Sequence, residues 1–177
     1  MAIFCCLCAL IGQVAATDVP GILVDVDALN RGKAQSLNGF WWFEFGEHIP
    51  LQSIPSRVAN QEMRMIDVPK PWNDFVKNLT DAPYQHGRAT FVLPLSLSEQ
   101  INRPISINAL FISSGYQIYW LPNSENASPI LLGRSGDWEN GLTSGLESDF
   151  YHFPLASDGL LVFYIAKSNV YKGGIRQ

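Results

Sequence analysis

The stretch SLNGFWWFEFGEHIP, residues 36–50, decides the fold class. Within it Trp41, Phe43 and Phe45 share one phase, while Trp42 and Glu44 share the other. A period of two belongs to a β-strand that turns one face to a core. The alternation returns further along. ATFVLPLSL (89–97) directs Phe91, Leu93, Leu95 and Leu97 inward, and PISINALFISS (104–114) directs Ile105, Ile107, Ala109 and Phe111. GYQIYWLP (115–122) sets Tyr116, Ile118 and Trp120 against Gln117, Tyr119 and Leu121. LLVFYIA (160–166) is apolar on both phases, as a central strand would be. With PILLG (129–133) and DFYHFPL (149–155), these runs are bounded by Gly, Pro, Asp or Ser and show almost no helical periodicity. The expected class is all-β, an antiparallel β-sandwich.

The punctuation between the runs predicts loops. Residues 46–65 carry Pro50 and Pro55 and read as a polar excursion. VPKPWNDFVKNLTDAPYQHGR (68–88) holds Pro69, Pro71 and Pro83, so it reads as a crossing loop with one helical turn at NDFVKN. Trp72, behind two prolines, is placed to plug one end of the sandwich, with its indole N–H expected on a backbone acceptor. Pro94, on the outward phase of its strand, predicts an edge or a bulge. Residues 17–35 read as a lead-in with a short helical turn near DALNRGKAQ.

The chain of 177 residues suits one domain with one core. Its net charge of −4 and its lack of any Lys/Arg run exclude a nucleic-acid binder. Residues 1–16 read as a signal peptide: Ala2–Ile11 is apolar, and Val14-Ala15-Ala16 suits cleavage before Thr17. The segment is too short to span a bilayer. Cys5, Cys6 and Cys8 all lie inside it, so the mature chain is expected to contain no cysteine, which suits a periplasmic or secreted protein that relies on its apolar core.

No catalytic constellation is legible, and the chain reads as a non-enzyme without cofactor or metal. His48, His86 and His152 lack ligand spacing, no Gly-x-Ser-x-Gly elbow occurs, and the acids show no pairing. Asp25 and Asp27 lack the other ligands of a calcium loop and read as solvated. Recognition is the remaining chemistry. Trp42, Trp120 and Trp138 stand where alternation or loop context exposes an indole, and indole faces stack on sugars. With Tyr116 and with Arg134 of the GRSG turn, they form the candidate ligand-binding set, weighed against plain core packing.

LNGFWWF (37–43), VPKPW (68–72), HGRATF (86–91), SSGYQIYW (113–120), LLGRSG (131–136) and SNVYKGG (168–174) come in that order. The order resembles the N-terminal periplasmic jelly-roll, galactose-binding-like sensor domain of bacterial membrane signalling proteins. That group includes seven-transmembrane receptors with diverse intracellular signalling modules, diguanylate cyclases and histidine kinases. The sugar-binding domain of β-galactosidase-type glycoside hydrolases shares it more loosely. Where the group carries an Asn-Gly hairpin, this sequence has LPNSENASP (121–129). The resemblance implies a jelly-roll sensor domain over residues 36–177, acting in signal transduction by binding a small molecule or carbohydrate. It also implies a membrane signalling module downstream of residue 177. Alternatives are a sugar-binding accessory domain of a glycoside hydrolase and a structural protein-interaction domain.

Overall fold

The computed structural model describes residues 19–77, 87–101, 105–109, 112, 114–124, 127–137, 149–153 and 157–167. The expected signal peptide (1–16), Trp138, Phe111 and SNVYKGG lie outside them. The described residues form an all-β, mostly antiparallel fold. Its strands are β1 (Ile22–Val24), β2 (Gly39–Phe45), β3 (Arg64–Val68), β4 (Gly87–Leu97), β5 (Ile105–Ala109), β6 (Gly115–Pro122), β7 (Ile130–Ser135), β8 (Asp149–Phe153) and β9 (Gly159–Lys167). Three short helices accompany them: α1 (Val26–Asn30), α2 (Ile54–Ala59) and α3 (Asn73–Val76).

Seven strands make one sheet in the order β3-β2-β4-β9-β6-β7, with β1 added parallel to β4; β5 and β8 pair as a separate ribbon. The doubly apolar LLVFYIA run is indeed interior, since β9 lies between β4 and β6. On the inner face Leu161, Phe163 and Ile165 join Trp41, Phe43, Phe91, Leu93, Ile118 and Trp120 in the main core. Ile105, Ile107 and Tyr151 of the ribbon pack into that same cluster, which makes the fold sandwich-like. Tyr151 ties the layers together. Its ring occupies the space where a side chain on Gly133 would stand, and its hydroxyl lies 2.9 Å from that of Tyr116. A glycine is therefore needed on β7 because a ring from the facing layer rests on its backbone.

The outer face is covered as well, contrary to the reading of residues 46–65 as an excursion. A 3-10 turn at Leu51–Ser53 leads into α2, and Ile49, Ile54 and Met63 bury Trp42, Val92, Leu121 and Val162 beneath them. Pro55 sits in the first turn of α2, where a missing N–H leaves no helical bond unmade. The two prolines thus shape a helical cover. Both phases of FWWFEF are consequently buried, Trp41 and Phe43 inward and Trp42 outward.

The lead-in also belongs to the fold. Val24 O accepts from Ser98 N at 3.1 Å, Asp25 caps α1 by accepting from Ala28 N at 2.8 Å, and Gln35 Nε2 donates to Leu23 O at 2.9 Å. Pro94 is not at a bulge, and the edge it meets is a local gap in one flank of an interior strand. It stands where one flank of β4 passes from β2, which pairs up to Val92, to β1, which begins at Leu95. α3 forms the helical turn expected near NDFVKN.

Candidate functional site

The structure places most of the expected ligand contacts inside the molecule. Trp120 and Tyr116 point into the main core at 1% and 2% exposure, and Trp42 lies beneath the α2 cover at 4%. None of the three offers a face to solvent. Counting phases along a strand assumes that one face is open, and here both are packed. Trp138 falls outside the described residues. Arg134 is exposed on β7.

Arg134 belongs to an arrangement that crosses the sheet. The register aligns Glu44 with Thr90, Thr90 with Tyr164, Tyr164 with Gln117, and Gln117 with Arg134. Aligned residues share a face, so these five side chains form a polar rung across β2, β4, β9, β6 and β7 on the outer side. The next rung, Trp42, Val92, Val162 and Tyr119, is nearly all apolar.

One half of the polar rung is roofed. Thr90 Oγ1 donates to Glu47 O at 3.2 Å and accepts from Ile49 N at 3.0 Å, while the Tyr164 hydroxyl donates to Ile49 O. His48 stacks on the Tyr164 ring at 4.8 Å, with Nε2 3.2 Å from Ile165 O. Arg57 of α2 answers the acids of this half, at 3.9 Å from Glu44 and 3.5 Å from Glu47.

The other half has no such roof among the described residues. Gln117 accepts a 2.8 Å bond from the Tyr119 hydroxyl at Oε1, while its amide nitrogen bonds to no described residue and still reaches solvent, although the residue as a whole is only 7% exposed. Arg134 beside it, and exposed Arg88 two positions before Thr90 on the same face of β4, have no ion pair among the described residues. From Tyr164 to Arg134 is two strand spacings, about 10 Å, enough for a sugar-sized ligand. Together these groups offer donors, a cation and an aromatic rim. Among the described residues no group of three or more His, Cys, Asp or Glu could hold a metal ion.

Burial sets the titration of the roof. It lowers the His48 pKa below its ordinary 6.5; the bond to Ile165 O opposes this and the charge of Arg88 reinforces it. Burial, with Tyr119 alongside, raises that of the Tyr164 hydroxyl. A His with a depressed folded pKa resists a proton that the unfolded chain accepts. Stability from this site is thus complete above pH 6.5 and declines as pH falls through the window between 6.5 and the lower folded value. Thermal unfolding followed from about pH 7.5 to about pH 5.5 is expected to show a declining midpoint, and a smaller decline in His48→Gln. Equal declines in both proteins would remove His48 from the explanation.

Of this site, only Arg134 was singled out by sequence. Gln117, Tyr119, Tyr164, Arg88 and His48 were missed. Gln117 did carry a signal, as a polar residue amid apolar neighbours on a strand (Tyr116, Ile118), but its alignment with Tyr164 and Arg134 depends on register across three strands. No family model matches the chain, and no curated protein matches it.

Proposed function

We propose that this chain is the extracytoplasmic ligand-sensing domain of a bacterial signal-transduction protein. It is a jelly-roll sandwich of the galactose-binding-like type that binds a carbohydrate or small carboxylate over the open half of the polar rung. The Gln117 amide, held at Oε1 by Tyr119 and reaching solvent at its nitrogen beside Arg134, carries this reading. An amide donor fixed in orientation next to a guanidinium offers a ligand oxygen two donors in set places. Tyr119, half-buried and 5.5 Å from Tyr164, supplies an aromatic rim against which a sugar ring can pack. Signalling would follow if the ligand binds one conformation of an attached module more tightly than the other. No helix among the described residues is long and apolar enough to cross a membrane.

Calorimetric titration with a panel of neutral sugars, uronic acids and small carboxylates tests the reading. At least one member is expected to bind. Gln117→Leu is expected to weaken it about tenfold, the equivalent of one hydrogen bond, without loss of stability. Arg134→Gln is expected to weaken acidic members more than neutral ones. A panel silent at millimolar concentration, or binding indifferent to Gln117→Leu, would reject the site.

A further inference from the structure

A concavity lies on the same face, four residues along the strands from the polar rung, about 13 Å away. It is a cleft of about 250 Å3 between α2 and the ends of β4, β6 and β9. Pro55, Val58 and Ala59 of α2 form one wall, with Pro94 and Leu160 opposite, all without charge. A carboxylate stands at one end. Asp158 Oδ1 accepts from Leu97 N at 2.8 Å, and the backbone carbonyl of Asp158 accepts from Asn123 N at 2.8 Å, so the residue is held at both its side chain and its main chain. Its side chain is exposed and has no cation paired with it among the described residues.

From this juxtaposition of apolar walls and an anchored carboxylate, we infer that the cleft binds a small apolar molecule carrying an ammonium group. The apolar body lies between α2 and the Pro94–Leu160 side, and the ammonium meets Asp158. The volume falls below the roughly 300–1,000 Å3 typical of drug-sized ligands, which limits the occupant to a single ring or branched chain. Such pockets are lined mostly by apolar groups, with few polar ones fixing orientation, and this cleft has that composition. The site is independent of the polar rung, which offers donors and cations and selects the opposite charge.

Benzylamine, benzyl alcohol and benzoate have the same ring and differ in charge, so they isolate the role of Asp158. In saturation-transfer NMR with titration at low salt, benzylamine is expected to bind about fivefold more tightly than the alcohol, with benzoate weakest. Asp158→Asn keeps an acceptor for Leu97 N and is expected to abolish that order while preserving the fold. Ala59→Trp, at an exposed wall position, is expected to block all three. Absence of saturation transfer from every probe, equal binding of the three, or an unchanged order in Asp158→Asn would overturn the assignment.

Discussion

Gly159→Ala is expected to cost about 3 kcal/mol or more of unfolding free energy, read from denaturant titration. The residue opens β9 and aligns with Pro122 on one side and Leu95 on the other. An added Cβ would collide with the Leu121 carbonyl oxygen and lie 2.6 Å from Trp120 Cζ2. The carbonyl belongs to β6, which is laddered to β9 over eight aligned pairs, and Trp120 is fixed in the core at 1% exposure. Neither can yield without shifting a strand or an indole. The cost is steric, because Gly159 has no positive φ to forfeit. A loss below about 1 kcal/mol would mean that β6 and β9 do not approach this closely.

Trp72→Ala is expected to cost about 3–5 kcal/mol, and Trp72→Phe distinctly less. Trp72 is fully buried, meets the Phe45 ring edge-on at 5.6 Å and lies parallel to Phe91 at 6.3 Å. It plugs the core where α3 begins, as its place behind two prolines suggests. The expected backbone acceptor is not found, however, since Nε1 has no hydrogen-bond partner among the described residues. Phenylalanine loses part of the ring but also removes that orphaned donor, and the two effects oppose each other. The alanine variant removes the donor as well but forfeits the whole ring, so the two variants differ by the packing of one phenyl ring. Matching denaturant midpoints for the two variants would show that a ring at this position adds no packing to the core.

The strands were legible from their residues, and the reason is local. Whether neighbouring side chains fall on opposite faces depends only on the extended backbone, so the alternation in 40–45, 89–97 and 115–122 could be read without knowing any partner. The same holds for the central place of 160–166, where apolar residues on both phases require cover on both sides. The reading of 46–65 went astray because proline marks a loop and the first turn of a helix alike. The aromatic candidates were misplaced for a related reason. Nothing within FWWFEF or GYQIYWLP tells how many faces of the sheet are covered, and α2 reaches Trp42 from a separate segment of the chain.

Chain order alone therefore accounts for the all-β class, the strand phases and the core role of Trp41, Phe43, Phe91 and Ile118. Folding in three dimensions added the polar rung, the roof of Glu47–Ile49 over half of it, and the cleft beside Asp158. These features join residues as far apart as Glu44 and Arg134, whose alignment is set by how four strand pairs slide into register. A slip of one residue in any of those pairs would turn one part of the rung to the other face and break the alignment, while every strand assignment would stand.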